Sequence, residues 1–265
     1  MATLAFEDRS FSLSRVFSRT FGVIGRNPAV IFGIAFLFGA LPSAIFSLLL
    51  QQMIVPLNPQ QPDLALASRV IIVSGIGGII AFVLGSLVQG ALVSAAVAES
   101  EGRRARFGQC LASGLNRLLP LLAVGILYGL AVGFGTLLLI VPGAILAVMW
   151  AVATPAVVAE RLGVGDAFSR SAALTAGARW KIFGLFLVVI VIVLLISWAI
   201  GLLVTSASLA LSPGAGAFSP IAFVFNIALR TLTTAVWATF LSSLYVELRL
   251  WKDGPMTDML SDIFR

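Results

Sequence analysis

Long apolar runs alternate with shorter polar segments along the chain. Six runs are long enough to cross a bilayer, at about 29–50, 70–96, 118–140, 143–159, 182–204 and 231–248. About 20 apolar residues in a helix span the roughly 30 Å hydrocarbon core, because each residue adds about 1.5 Å. The pattern therefore predicts an all-α polytopic membrane protein with six transmembrane helices.

An amphipathic stretch precedes each odd-numbered run. These stretches cover 11–26, 107–117 and 164–179, and apolar residues recur in them near helical spacing. Because such helices lie in the interface plane of a membrane, we expect three hairpins, each preceded by an interfacial helix. The tripeptide Phe-Ser-Arg occurs at 17–19 and at 168–170. The three units are either a true repeat or three responses to the same physical demands.

Basic residues indicate how the helices are oriented. The chain has 17 Lys and Arg against 11 Asp and Glu, and all the basic residues except Arg69 and Arg230 lie in segments on one side of the predicted spans. The positive-inside rule places that side in the cytoplasm. We then expect a cytoplasmic interfacial segment at 1–28, a membrane domain at 29–250 and a short cytoplasmic tail at 251–265. Residues 1–28 mix arginines with acidic residues, which is atypical of a cleavable signal peptide.

Small residues recur every four positions in several spans and leave a bare stripe where another helix can approach closely. The stripes predicted to pack helices are Gly125, Gly129 and Gly133 in the third span, Gly77, Ala81 and Gly85 in the second, and Gly143, Ala147 and Ala151 in the fourth. The partner of a stripe is either another helix of the same chain or a second copy. The turn between the third and fourth spans is expected at 141–143, a Val-Pro-Gly sequence. The fifth span has no stripe, and we expect it to face lipid.

Groups suited to catalysis are scarce. The chain has no histidine and one cysteine, Cys110, which removes the commonest general base and metal ligand and any internal disulfide. The sequence has no phosphate-binding glycine loop, zinc motif or nucleophile elbow. We expect no enzymatic activity, no metal, no cofactor and no nucleic-acid partner.

Four arginines are candidates for binding lipid headgroups. Arg103, Arg104 and Arg106 follow the second span, where they either fix the orientation of the helices or bind anionic headgroups. Arg230 lies 19 residues before Arg249, about 28 Å along a helix, and is expected at the outer interface. There it either reaches towards water or binds a lipid phosphate or another anion.

A set of residues between 141 and 180 resembles a known family pattern. The set comprises Val141, Pro142, Gly143, Trp150, Pro155, Glu160, Gly163, Ala167, Arg170, Ser171, Leu174, Thr175, Gly177 and Trp180. With the closing stretches 245–249 and 252–254, it resembles the membrane domain that precedes some glycerophosphodiester phosphodiesterases and the related YciC-type bacterial inner-membrane proteins. The resemblance implies a six-span bacterial inner-membrane domain with a loose link to phospholipid or headgroup metabolism. The phosphodiesterase of that family is a separate soluble domain with metal-binding histidines, so its activity does not transfer to this chain.

Within this pattern, the cytoplasmic stretch 160–180 is expected to form a clasp at the base of the central hairpin. Glu160, Arg170 and Arg179 are expected to pair across it. The full set of clasp residues is Pro155, Glu160, Gly163, Arg170, Ser171, Thr175, Gly177 and Trp180. The clasp either has a structural role or serves as a docking site.

Two functions are compatible with these features. The first is a non-enzymatic scaffold or lipid-contact protein in membrane lipid homeostasis, with phospholipids as partners. The second is a small uncoupled transporter or channel-like protein that acts as a homo-oligomer or with another membrane protein, its glycine-lined helices surrounding a path. Ion coupling is disfavoured because no carboxylate is expected at mid-depth in the membrane.

Overall fold

The computed structural model describes residues 11–54, 64–100, 102–211 and 220–254. Every regular element in these ranges is helical. The elements are α1 (Leu13–Arg26), α2 (Pro28–Ile34), a π-helical segment (Ala35–Ala40), α3 (Leu41–Ile54), α4 (Leu64–Ser100), α5 (Phe107–Asn116), α6 (Leu118–Leu138), α7 (Ile140–Met149), α8 (Ala153–Ala159), α9 (Val164–Thr175), α10 (Arg179–Leu211) and α11 (Pro220–Asp253).

Six stretches of the described chain are apolar and long enough to cross a membrane, in agreement with the sequence. They are Pro28–Gln52, Ala67–Ser100, Leu118–Leu138, Ile140–Ala159, Arg179–Val204 and Ala222–Asp253. The last begins well before the predicted 231, because the apolar residues before Arg230 continue the same helix. At 37 and 34 residues, α4 and α11 are longer than the hydrocarbon core, so they extend beyond it or tilt.

The first span contains an irregular turn where a proline interrupts it. Pro42 lies in the first turn of α3, and its ring nitrogen cannot donate to the carbonyl four residues earlier. The π-helical segment Ala35–Ala40 immediately precedes α3. A π turn accommodates a break in the regular hydrogen-bond series, so the irregularity appears just before the proline that causes it.

The turn between the third and fourth spans lies earlier than predicted. α6 ends at Leu138, Leu139 is extended (φ −161°, ψ 142°), and α7 begins at Ile140. Pro142 therefore lies in the first turn of α7 instead of in the loop. A proline is tolerated there because the first amides of a helix have no intrahelical acceptor.

The glycine stripe of α6 does not pack against the described chain as predicted. A Cβ placed on Gly129 or Gly133 would meet nothing within 4 Å, whereas one on Gly125 would lie 2.9 Å from the Phe82 ring. Within the described chain Gly129 and Gly133 therefore have no helix packed on them, because α7 contacts the face that carries Tyr128 and Gly135. That face is about 100° around the helix from the stripe.

The stripe of α7 makes close contacts only in part. A Cβ on Gly135 would lie 3.1 Å from the Cα of Gly143, so the two helices approach closely beside their turn. The carbonyl of Ala147 accepts a hydrogen bond from the Tyr128 hydroxyl at 3.4 Å. Ala151 is buried in the short break that follows α7.

The stripe of α4 is divided between two environments. Gly77 is buried against the ring of Phe46, as a packing glycine should be. Ala81 and Gly85 are exposed, and a Cβ on Gly85 would meet nothing within 4 Å. These two residues therefore pack on no helix of the described chain, because α4 turns Leu87 and Val88 towards its neighbours at this level.

A close helix contact that the stripes did not predict joins α4 to α5. A Cβ on Gly114 would lie 2.9 Å from the carbonyl oxygen of Leu87 and 3.1 Å from the amide nitrogen of Ala91. Gly90 faces Gly114 across this contact. Only a residue without a side chain fits between two backbones at this distance.

The core is centred on the C-terminal half of α11. Phe240, Leu244, Tyr245 and Leu248 are almost completely buried, and α11 contacts α1, α4, α8, α9 and α10. By contrast, α10 exposes most of its large aliphatic side chains. In a membrane these side chains would face lipid.

Candidate functional site

The charged side chains of the described residues concentrate at one end of the helix bundle. α11 ends there, and α1, α5 and α9 lie there. Ion pairs connect α1 to α11, α1 to the end of α4, and α9 to α11. We call this the basic end, and the end that carries Arg69 and Arg230 the opposite end. The basic end contains the candidate site.

Glu160 is at the centre of a hydrogen-bonded charge cluster. It follows the last residue of α8, where Arg161 has a positive φ of 55° and the chain reverses into α9. Its carboxylate accepts from Arg170 Nε at 2.9 Å and from the Tyr245 hydroxyl at 2.7 Å. Arg249 Nε lies 4.0 Å away. One carboxylate thus connects the end of α8 to both α9 and α11.

Arg170 extends the cluster to the last turn of α11. Its Nε pairs with Glu160, and its terminal nitrogens donate to the carboxylate of Asp253. The hydrogen bond to Asp253 and the nearby Glu160 carboxylate raise the pKa of the Arg170 guanidinium above its already high ordinary value. The side chain therefore stays charged at any working pH and holds the two carboxylates together.

Two buried hydroxyls of α9 satisfy the backbone at the break between α7 and α8. The Ser171 hydroxyl donates to the carbonyl of Met149 at 2.9 Å and accepts from the amide of Val152 at 3.3 Å. Thr175 donates to the same Met149 carbonyl at 3.2 Å. Both hydroxyls occupy positions where a break in a buried helix leaves polar groups that need partners.

α1 is fastened to α11 at the same end. Arg15 Nε donates to Glu247 at 2.6 Å, and the side chain of Glu247 is only 4% exposed. Phe11 packs against Trp251 with ring centroids 6.2 Å apart. Gly177 has a φ of 84°, and a Cβ placed on it would lie 3.5 Å from the Trp251 ring. A left-handed turn thus brings the chain from α9 into α10 beside this ring.

The predicted clasp is therefore present in part and differs in its members. The structure contains the Glu160–Arg170 ion pair, but Arg179 is exposed and forms no ion pair within the described ranges. The turn at 176–178 carries Arg179 to the outside of α10, and Asp253 is the second partner of Arg170 instead. Trp180 is 86% exposed, and Gly163 is also at the surface, whereas Pro155 is buried in α8.

Sequence reasoning missed that Tyr245, Glu247 and Asp253 belong to this cluster. They lie about 75 to 95 residues from Glu160 and Arg170, so no local spacing could relate them. A signal was nevertheless present: both stretches that carry the family resemblance, 141–180 and 245–254, contribute to the cluster.

The arginines between α4 and α5 form a second group at the basic end. Arg103, Arg104 and Arg106 are exposed and lie in a non-helical connection. Arg26 of α1 pairs with Glu99 at the end of α4 beside them. Cys110 is buried under this connection, and burial raises the pKa of its thiol.

Few polar groups lie at membrane depth. The Gln89 amide nitrogen is shielded and has no partner among the described residues, and Asn226 is exposed. The described ranges contain no group of three or more His, Cys, Asp or Glu residues able to hold a metal. The side chains at the basic end can hold helix ends together and present positive charge.

The helical architecture and the six apolar spans are those of a multi-pass membrane protein. Within that class, the chain belongs to the family described as a domain of unknown function, DUF7847, whose match covers residues 11–248. That range includes the charge cluster up to Glu247, whereas Arg249 and Asp253 lie just beyond it. Comparison with curated proteins found no match, and comparison with solved structures found none.

Proposed function

We propose that this protein is a non-enzymatic scaffold or lipid-contact protein of the bacterial inner membrane that acts in membrane lipid homeostasis. The observation that carries the proposal is the excess of positive charge at the basic end. Glu99, Glu160, Glu247 and Asp253 are each engaged by an arginine of the same chain. Among the described residues, the basic side chains at this end outnumber the carboxylates, so anionic headgroups are natural counter-ions for the excess.

Arg103, Arg104 and Arg106 are the centre of the proposed headgroup contact. Their connection is held at both sides, by the Arg26–Glu99 pair and by the close packing of Gly114 of α5 against α4. Basic residues near an anionic surface contribute about 1 kcal/mol each to membrane attraction. A fixed position would concentrate this attraction on a small number of lipids.

The proposal includes an orientation and an arrangement of helices. The basic end is cytoplasmic, in keeping with the positive-inside rule. α1, α5 and α9 act as interfacial helices, each ahead of one helical hairpin. The buried residues of α1, Val16, Thr20 and Val23, lie along one side of that helix, which supports this arrangement.

A thermal-shift titration with phosphatidylglycerol in mild detergent tests the headgroup contact. A ligand that binds the folded state raises the melting temperature as its concentration increases. We expect phosphatidylglycerol to stabilise the protein more than phosphatidylcholine does, and replacement of Arg103, Arg104 and Arg106 by Gln to remove most of the difference.

The matched control replaces Arg161, Arg179 and Lys181 by Gln. It removes the same charge from the basic end but leaves the connection between α4 and α5 intact. If both triple variants reduce the preference equally, net charge alone explains it. If neither does, the headgroup contact is wrong.

The second candidate function is a small uncoupled transporter or channel-like oligomer. It is favoured by the open face of α6, where Gly129 and Gly133 have space for a second copy. Cysteines placed at these positions in a Cys110→Ser background would react with water-soluble thiol reagents if the face lines a path. Failure of the cysteines to react would favour the lipid-contact function.

A further inference from the structure

A cleft between α4, α10 and α11 lies within the membrane-spanning part of the bundle. Its volume is about 390 Å³, which falls in the range of ligand pockets. Its lining includes Gly85 and Gln89 of α4, Val193 of α10, and Thr233, Thr234 and Trp237 of α11. The lining is largely apolar, and the cleft is partly open to the surroundings. In a membrane, those surroundings are lipid acyl chains.

The charge nearest along the α11 side of the cleft is Arg230. Thr233, Thr234, Trp237 and Ala238 follow it at i+3, i+4, i+7 and i+8, so all five residues lie on one face of α11. Arg230 is therefore about one helical turn beyond the cleft, towards the opposite end. Its guanidinium is exposed and forms no ion pair among the described residues.

Along α4, the cleft is also open towards the opposite end of the bundle. α4 and α11 both begin at the opposite end, and Gly85 is the cleft residue of α4 nearest to it. A Cβ on Gly85, or on Gly78 two turns earlier, would meet nothing within 4 Å. The described chain therefore leaves this face of α4 uncovered from the cleft towards the opposite end.

Gln89 adds one unsatisfied polar group to the wall. Its side-chain nitrogen is shielded and lacks a hydrogen-bond partner in the described chain. A buried amide without a partner costs free energy.

We propose that the cleft holds one acyl chain of an anionic glycerophospholipid whose phosphate contacts Arg230. This inference rests on the lipid-contact function proposed above and adds a second, specific site in the leaflet at the opposite end. The apolar lining accommodates the chain, and Arg230 supplies the complementary charge at the distance of a helical turn. Trp237, which packs against Phe186 and Phe240, forms part of the wall.

Quenching of Trp237 fluorescence by brominated lipids tests this site. The full chain is reconstituted in phosphatidylcholine vesicles with a small fraction of phosphatidylglycerol or phosphatidylcholine brominated along its acyl chains. The Trp237 signal is the difference between the protein and its Trp237→Phe variant. We expect brominated phosphatidylglycerol to quench this signal with about fivefold higher apparent affinity, the effect of one basic side chain at a membrane surface.

Variants distinguish a bound lipid from ordinary surrounding lipid. Val193→Phe fills the cleft and should abolish the excess quenching, and Gly85→Leu should do the same if the first variant misfolds. Arg230→Gln should remove the preference for phosphatidylglycerol. Arg69→Gln is the control, because it removes a charge at the same end from a different face of α4 than Gly85.

Two results would overturn the inference. Equal quenching by both lipids that survives Val193→Phe would mean random lipid contact. Protection of Trp237 from both lipids would mean that protein, such as a second copy of the chain, fills the cleft. Arg103, Arg104 and Arg106 do not line the cleft. A phosphatidylglycerol preference in the thermal-shift titration that survives their replacement by Gln would therefore count against the headgroup contact and leave the Trp237 result standing.

Discussion

Glu160 binds side chains from two different helices. Its carboxylate receives a guanidinium from α9 and a hydroxyl from α11. Its side chain and that of Arg170 are 17% and 26% exposed, so water competes only in part. Removal of this shielded carboxylate would therefore leave Arg170 and Tyr245 with fewer hydrogen-bond partners.

Glu160→Gln should lower the stability of the protein in detergent. The substitution keeps an acceptor for Tyr245 but removes the charge that faces Arg170. A half-satisfied shielded charge costs about 1–3 kcal/mol, which thermal unfolding followed by circular dichroism would detect. Asp166→Asn is the matched control, because Asp166 is an exposed carboxylate at the same end with no ion pair among the described residues. Equal effects of the two changes would argue against a special role of Glu160.

Cys110 offers a test by its chemistry. Burial raises the pKa of its thiol, and the thiolate is the form that reacts. In the folded protein, reaction with a thiol reagent should be slow near pH 8, and its rate should rise only at a higher pH than for a free cysteine. Unfolding in a denaturing detergent should restore ordinary reactivity. A fast reaction in the folded protein would show that the packing of α5 against α4 does not cover this residue.

At the scale of helices, the sequence predicted the spans better than their contacts. Apolar length is a local property, so six spans could be counted before any contact was known. Which face of a helix meets its neighbour depends on residues far away in the chain. The stripe at Gly129 and Gly133 has no partner in the described chain. The contact through Gly114 was missed because the α4 backbone that it meets, at Leu87 and Ala91, belongs to a different helix.

Gly114→Leu and Gly129→Leu should have different effects on folding, because one position is packed against α4 and the other faces open space. Leucine at 114 would collide with the backbone of α4 at Leu87 and Ala91, so we expect loss of folded, monodisperse protein. Leucine at 129 faces open space, so the isolated chain should fold normally. Size-exclusion chromatography after purification in mild detergent is the readout. Aggregation of the Gly129 variant alone would contradict this arrangement of α6.

The break between α7 and α8 depends on α9 for its polar partners. Ser171→Ala would leave the amide of Val152 without its partner. We expect a loss of about 1–2 kcal/mol, the usual penalty for a buried polar group without a hydrogen bond. Ser169→Ala, at an exposed position of the same helix, should have little effect on the melting temperature. A comparable drop for both serines would refute this role of Ser171.

Across the whole molecule, the two ends of the bundle differ in charge. The described chain places its carboxylates and most of its basic residues at one end, with Arg69 and Arg230 at the other. This asymmetry could be predicted, because it follows from where charges fall between apolar runs. The cluster that joins Glu160, Arg170, Tyr245 and Asp253 could not, because it requires α8, α9 and α11 to end at the same place.

The proposed function requires that the basic end attract and hold anionic phospholipid. The most direct measurement is a lipid inventory by mass spectrometry of the protein purified in mild detergent, compared with the bulk membrane extract. We predict enrichment of one anionic phospholipid over its bulk proportion, and loss of most of that enrichment when Arg103, Arg104 and Arg106 are replaced by Gln. Lipid proportions equal to those of the bulk membrane would contradict the claim.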